Sequence, residues 1–334
     1  MATIKDIASA SGFSITTVSR VLNHDRNFNV SDDTRHKILS IADELNYLPL
    51  NKRHSAIKKQ AHLKLGLVYW YSTEQELIDP YYMAIRLAIE TYCDTHQISL
   101  QKFSLPTHYN DEIKTLHVDG LIVLGKFSEA ELQKLHHQYA HLVVVDCWSD
   151  LYEVDVVVAD LKQATKQMIS HLNTKSIHQI GFICGIEQTL DGQELLDRRL
   201  LTYKKQMQRL KLFDPNDIYL GQFSADSGYD IMTNIIKHHS LCQAYIIASD
   251  AMAIGCLKAL NEHQIKVPDV VSIISYGNIS LSQFTIPSLS TIEMNTKQMG
   301  EAAIELLVER ITTHRQIAKK VIIPTQLIKR DSSI

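Results

Sequence analysis

Thr3-Ile4-Lys5-Asp6-Ile7-Ala8, a turn at Ser11-Gly12-Phe13, and then Ser14-Ile15-Thr16-Thr17-Val18-Ser19-Arg20-Val21-Leu22-Asn23 form the stretch from which the rest of the chain is read. Two short helical patterns joined by a glycine-containing turn are the sequence form of a helix-turn-helix, whose second helix enters the DNA major groove. Ser14 suits the N-cap of that second helix, because its hydroxyl can accept from an orphan N–H of the first turn. Val18, Val21 and Leu22 fall at helical spacing and can face a core, which leaves Ile15, Thr16, Ser19 and Arg20 outward. A guanidinium flanked by short hydroxyls suits a groove, where arginine can bond guanine O6 and N7 together and Ser or Thr can reach phosphates. An ordinary helical hairpin with a solvated face shares this pattern.

Charge divides along the chain. The 334 residues carry a net charge of −3, which by itself does not suit a DNA-binding protein. Residues 1–60, however, hold nine Lys/Arg against six Asp/Glu, a balance of +3 that leaves −6 on the remainder. A basic head on an acidic body fits a small nucleic-acid module fused to a larger domain with other business. Ser31-Asp32-Asp33-Thr34 opens a third helix with acids in its first turn, and Ile38, Ile41, Ala42 and Leu45 give it one apolar stripe. Tyr47-Leu48-Pro49 ends the headpiece. Residues 50–64 are polar and basic, and read either as a flexible charged linker or as a hinge that folds on DNA and places an apolar side chain in the minor groove.

From Lys64 onward short apolar runs alternate with helical patterns. Residues 65–69, 121–124, 142–145, 180–184, 245–248, 270–275 and 321–328 read as strands, separated by helices such as 81–95, 129–137, 161–172, 199–210 and 251–263. This alternation predicts α/β architecture with parallel sheets covered on both faces, and its length predicts two subdomains with a ligand cleft between them. Forty-five per cent apolar and 21 per cent charged residues describe an ordinary globular protein. With no apolar run long enough to span a membrane and no basic-then-apolar leader, a cytoplasmic location is expected. The five cysteines (93, 147, 184, 242 and 256) are scattered, and His136, His137 and His141 lack a third ligand, so no cofactor and no metal are expected. Neither a Gly-x-Gly-x-x-Gly nor a phosphate loop occurs, which disfavours a dinucleotide enzyme.

Thr3 to Ala8, Thr17-Val18-Ser19-Arg20-Val21-Leu22-Asn23, Tyr47-Leu48-Pro49, Ala248-Ser249-Asp250-Ala251-Met252-Ala253-Ile254-Gly255 and Pro287-Ser288-Leu289-Ser290-Thr291-Ile292 resemble the lactose-repressor (LacI/GalR) family of bacterial transcription factors. The resemblance covers essentially the whole chain, and within the family residues 79–91 are similar to the repressor of a β-galactosidase operon. It implies a homodimeric repressor of a sugar, by that similarity galactoside, utilisation operon, bound to a pseudo-palindromic operator and released by a small saccharide. The implied fold is a three-helix headpiece (1–46), a hinge linker (47–63) and a periplasmic-binding-protein-like core (64–330). In that core two doubly wound subdomains are expected, at about 64–160 with 290–322 and at about 161–289.

The implied DNA contacts are Ile15 and Thr16 for base choice, Arg20 for guanine, and Thr17, Ser19 and Asn23 for the backbone. Family linkers run Pro-Asn-x-x-Ala-x-x-Leu; here Leu50, Arg53 and Ala56 stand at the corresponding positions with Ile57 next door, so Ala56 or Ile57 is the expected minor-groove residue. The implied effector residues are Trp70, Asp79, Tyr81, Asp146, Trp148, Arg199, Asp250 and Asn278. Carboxylates and a guanidinium can bond vicinal hydroxyls while an indole covers a pyranose face, although tryptophans near strands also serve as plain core. Tyr276-Gly277-Asn278 departs from the family, since Gly277 stands where many members carry an acid or amide. Only six residues follow the run at 321–328, which favours a dimer over a tetramer. A purine-responsive corepressed regulator, a catabolite regulator bound by a phosphorylated carrier protein, and a sugar-binding protein or glycosidase are the other readings.

Overall fold

The computed structural model describes residues 3–22, 28, 30–45, 63–104, 117–189 and 191–334. The chain divides into two compact units between residues 62 and 63. The first contains α1 (Ile4–Ser11), α2 (Ile15–Leu22) and α3 (Asp32–Glu44). Thr3 and Asp6 form a reciprocal capping box on α1, with Asp6 Oδ2 accepting from the Thr3 amide at 2.7 Å. Gly12 ends that helix at φ 77°, a left-handed conformation that costs glycine little. The Ser14 hydroxyl accepts from the Thr17 amide at 3.1 Å and caps α2; such a cap is worth about 1 kcal/mol. Ile7, Ala8, Val18, Val21, Leu22, Ile38 and Ala42 close the core of this unit. Leu45, expected on the apolar stripe of α3, is 39% exposed because it lies beyond the last helical turn. Linker residues 47–62, which include Ala56 and Ile57, and Asn23 of the recognition stretch lie outside the described residues.

The second unit holds two six-stranded sheets. Its chain runs β1 (Lys64–Tyr69), α4 (Thr73–Ile78), α5 (Tyr81–Thr95), β2 (Ser99–Ser104), β3 (Gly120–Leu124), α6 (Glu129–Gln138), β4 (Leu142–Val145) and β5 (Asp155–Ala159). It continues through α7 (Leu161–Thr174), β6 (Ile180–Gly185), α8 (Arg198–Leu210), β7 (Ile218–Gly221), α9 (Ala225–His238), β8 (Ala244–Ile247), α10 (Asp250–Glu262) and β9 (Ser272–Gly277). The last elements are β10 (Ser290–Glu293), α11 (Thr296–Thr313), β11 (Lys320–Ile323) and β12 (Gln326–Ile328). The first sheet has the order β11-β5-β4-β3-β1-β2 and is parallel throughout. The second has the order β12-β10-β9-β8-β6-β7 and is parallel except for β12, which runs antiparallel to β10.

Two expectations about strands are corrected. The run 321–328 is not one strand: it breaks at Pro324 and supplies an edge strand to each sheet, β11 to the first and β12 to the second. Residues 290–293, expected with the first subdomain, pair in parallel with β9 and belong to the second sheet. The chain therefore crosses between sheets three times, after β5, after β10 and after β11. Asp155 secures the last return to the first sheet. Its buried carboxylate takes both Nη atoms of Arg315, at 3.0 and 2.8 Å, and the Lys319 amide, which sets Lys320 beside Val156 as β11 begins. In each sheet the strand order reverses, at β1/β3 and at β6/β8, and the carboxyl ends of these strands lead into the cleft that carries the site.

Candidate nucleic-acid and effector sites

On α2 the residues expected to contact DNA form one side of the helix. Ile15, Thr16 and Arg20 are exposed, Thr17 and Ser19 are half-buried, and Val18, Val21 and Leu22 turn into the core. The Arg20 guanidinium lies over the Phe28 ring at 5.1 Å, a contact that holds the side chain at the helix surface.

In the body, side chains from both subdomains converge on one cavity with about 490 Å³ of empty space, counted to its mouth. Asp146, just past β4, is its organising acid. Tyr81 Oη donates to one carboxylate oxygen at 2.9 Å, while Tyr82 Oη at 2.7 Å and Lys126 Nζ at 2.9 Å donate to the other. Burial, with Asp146 beside them, pushes both phenols well above their usual pKa, so they stay neutral donors. Burial alone would lower the Lys126 ammonium, but Asp146 and Glu187 outweigh it and keep it charged.

The opposite wall is built on Arg199, at the start of α8. Burial again opposes its charge, and the Asp197 and Glu187 carboxylates overcome that. Asp197 caps α8 through the Arg199 amide at 2.7 Å and takes the guanidinium at 2.6 Å, and Arg199 Nη1 donates to the Ala248 carbonyl at 2.7 Å. The Phe223 and Tyr276 rings flank the guanidinium at 5.1 and 5.7 Å. Glu187, past the end of β6, stands 3.5 Å from Lys126 of the first subdomain and 3.5 Å from Arg199 of the second. Burial raises its carboxyl above the usual range, against the opposing pull of the two cations. One carboxylate thus ties the two subdomains across the cleft.

Burial pushes Asp197 up, but the charge and hydrogen bonds of Arg199 prevail and hold the carboxyl down at about 2. A depressed acid stabilises the fold above its unfolded pKa of about 4 and loses that contribution as pH falls through its folded value. Asp197→Asn is accordingly expected to flatten the stability curve between about pH 4 and pH 2, and to cost about 3 kcal/mol at neutral pH through the cation it leaves underpaired. Thermal unfolding of both proteins across that range measures it; identical acid limbs would refute the pairing.

The structure gathers Asp79, Tyr81, Asp146 and Arg199 around this cavity. Trp70 and Trp148 instead line separate grooves on either side of it. Asp250 is 1% exposed and outside the lining. It accepts from the Thr291 hydroxyl at 2.6 Å, the Ile279 amide at 2.8 Å and the Ser275 hydroxyl, which tie α10 to the loop after β9. Asn278 is likewise outside, donating to Glu293 and accepting from Arg330 at 2.6 Å. Gly277 occupies the lining with φ 136°, and a Cβ there would stand 3.2 Å from the Asp250 carboxylate. Lys126, Glu187 and Phe223 are among the lining residues that were not expected, beside Tyr71, Tyr82, Leu161, Ala248, Ser249, Tyr276 and Met294; for the charged pair the available signal was a single charged residue two positions beyond a buried strand. Among the described residues no group of three or more His, Cys, Asp or Glu is placed to hold a metal ion, and no helix is long and apolar enough to cross a membrane.

A capped helix-turn-helix unit followed by a two-sheet body with a cleft cavity defines a class of ligand-responsive regulators. Residues 3–50 match the family described as bacterial regulatory proteins, lacI family, and residues 169–333 match a periplasmic binding protein-like domain. The chain is 36% identical to the HTH-type transcriptional regulator GalR of Lacticaseibacillus casei over 100% of both chains, and 35% identical to GanR of Bacillus subtilis (strain 168) over 99% of both. The same fold occurs in the transcriptional regulator CelR–cellobiose complex (TM-score 0.73, 22% identity, 100% of both chains). It also occurs in the lac repressor dimer bound to operator and the anti-inducer ONPF (TM-score 0.70, 23% identity, 100% of this chain and 99% of that one). The chain belongs to the LacI family of bacterial regulatory proteins and is a DNA-binding transcriptional regulator.

Proposed function

We propose that this regulator is a cytoplasmic, dimeric repressor of a sugar-utilisation operon, released from its operator by a neutral saccharide bound in the cleft of the body. The observation that carries the effector class is the cavity itself. Asp79, Asp146 and Glu187 outnumber Lys126 and Arg199, and both cations are already paired with acids, Lys126 with Asp146 and Glu187, Arg199 with Glu187 and with Asp197 behind it. Phosphorylated or carboxylated ligands are repelled by that balance, whereas vicinal hydroxyls can both donate to the acids and accept from the cations and phenols. Asp146, Arg199, Tyr81 and Asp79 are the residues assigned to the sugar, with Lys126 and Glu187 added to them. A galactoside is the favoured candidate, because residues 79–91 resemble the repressor of a β-galactosidase operon. The bound cellobiose of the CelR complex shows this fold holding a disaccharide in a related protein.

The mechanism is linkage and needs no bond-making chemistry, so no enzymatic activity is assigned. A sugar that binds the cleft better in the conformation unsuited to operator lowers DNA affinity by the same factor as DNA lowers sugar affinity. On the DNA side, α2 enters the major groove, Ile15 packs on a thymine methyl and Arg20 bonds a guanine. Arg20→Ala is expected to weaken operator binding about 10- to 100-fold and to relax selection at one base pair of each half-site, read by gel shift on an operator series. Unchanged affinity would remove α2 from the groove.

A further inference from the structure

Beside the central cavity lies a groove of different chemistry. Tyr71 and Phe223 line both spaces, so the two share a wall. Trp70, Ile78, Ile186 and Phe223 give the groove its apolar surfaces, while Gln75, Gln188 and Gln222 bring neutral amides. None of the residues lining it carries a charge, in contrast to the acids and cations of the cavity. The two walls come from the two subdomains, Trp70 and Gln75 from the first, Ile186 and Gln222 from the second.

The indole is held in place. The Trp70 amide donates to the Leu124 carbonyl at 2.9 Å, and its ring lies against Tyr71 at 5.0 Å and edge-on to Tyr82 at 5.8 Å. Gln75 is held as well, its Oε1 accepting from the Ser72 amide at 2.8 Å in the cap of α4, which leaves the NH₂ as a donor. Flat aromatic surface beside uncharged amides is the chemistry that takes a sugar ring: C–H faces lie on the ring and hydroxyls exchange hydrogen bonds with the amides.

The groove on the other side of the cavity is unsuited to that role. Its lining includes Glu129, Asp150, Asp160, Lys162 and Arg198. Its tryptophan is already engaged, with the Arg198 guanidinium 4.5 Å over the Trp148 ring and the indole N–H donating to Asp150 at 2.8 Å.

We propose that the groove beside Trp70 is a second sugar-ring subsite, so that the effector is an oligosaccharide of at least two rings with one in the cavity and the next on Trp70 and Phe223. This rests on the saccharide reading of the cavity. Calorimetric titration of the full chain with galactose and glucose, and with lactose, melibiose, cellobiose and β-1,4-galactobiose, tests it. At least one disaccharide is expected to bind about tenfold or more tighter than either of its component monosaccharides. Gln222→Ala and Ile186→Asp are each expected to bring that ratio down to about threefold or less, while Lys162→Ala in the charged groove preserves it. Equal binding of mono- and disaccharides, or a ratio insensitive to Gln222 and Ile186, overturns the second subsite and leaves the saccharide reading standing. Binding of none of these sugars overturns both.

Discussion

Arg199→Ala is expected to lower the melting temperature of the body by about 10 °C and to leave a repressor that no sugar releases. The first effect follows from what the guanidinium neutralises. Asp197 and Glu187 both face it, the former at 2.6 Å, and the Arg199 and Asp197 side chains are only 11% and 7% exposed. Removing one member of a buried ionic cluster leaves charge without a partner and costs about 3–5 kcal/mol. For a unit of this size each kcal/mol corresponds to roughly 2–4 °C. The second effect follows from the proposed role of Arg199 as the cation of the sugar site, with affinity falling at least about 100-fold once a charged hydrogen-bond donor is lost. Operator binding without sugar is preserved, because the helix-turn-helix unit has its own core. Arg199→Lys separates the two effects: it keeps the charge and most of the stability but loses the forked geometry. Differential scanning calorimetry and operator gel shifts with and without sugar read both, and normal release by the alanine variant would exclude Arg199 from the site.

Ile286→Asp is expected to split the proposed dimer and, with it, to abolish high-affinity repression. Leu281, Phe284 and Ile286 are 61%, 74% and 91% exposed within six residues of one loop, and Ile286 and Pro287 share a surface groove with Leu257, Ile265 and Val267. Large apolar side chains left this exposed so close together in the chain mark an interaction surface. Two-fold pairing of the chain through it fits the need to present two headpieces to two half-sites. An aspartate at its centre would have to be desolvated without a partner. Losing the second headpiece removes the gain of bivalent binding, about 10²- to 10⁴-fold in operator affinity. Analytical ultracentrifugation should show a folded monomer; a dimer that persists would move the interface elsewhere.

The helix-turn-helix was legible because everything that forms it is local. Ser14 caps the helix three residues before the amide it binds, Gly12 ends the preceding one, and Val18, Val21 and Leu22 repeat at the helical period. Central strands such as β3, β4 and β8 were legible as apolar runs because both of their faces are buried, whereas β5 and β10, also internal, were not singled out. Edge strands such as β2 and β7 have no fully buried residue and present no such run. The run 321–328 was read as one strand, because pairing partners more than 30 residues away leave no local mark of a change of sheet at Pro324.

At the site, the rule that a buried charge needs a partner singled out Arg199 and Asp250 alike. For Asp250 the partners proved to be the protein's own hydroxyls and an amide, which no spacing in the chain distinguishes from a ligand contact. Lys126 and Glu187 escaped notice because each is a lone charge, and their meaning depends on a contact between subdomains that only the folded cleft creates.

The three crossings between sheets also govern the order in which the protein can be made. The helix-turn-helix unit is complete once its first 45 residues are available, since its core draws on no later segment. The first sheet must wait for Lys320 to pair with Val156, and the second for Leu327 to pair with Ile292. During synthesis a DNA-reading head therefore emerges on a body whose sheets both remain open at an edge until almost all of the chain has left the ribosome. Ribosome stalling or truncation before β11 is expected to yield a head that can fold on a body in which both sheets lack an edge strand.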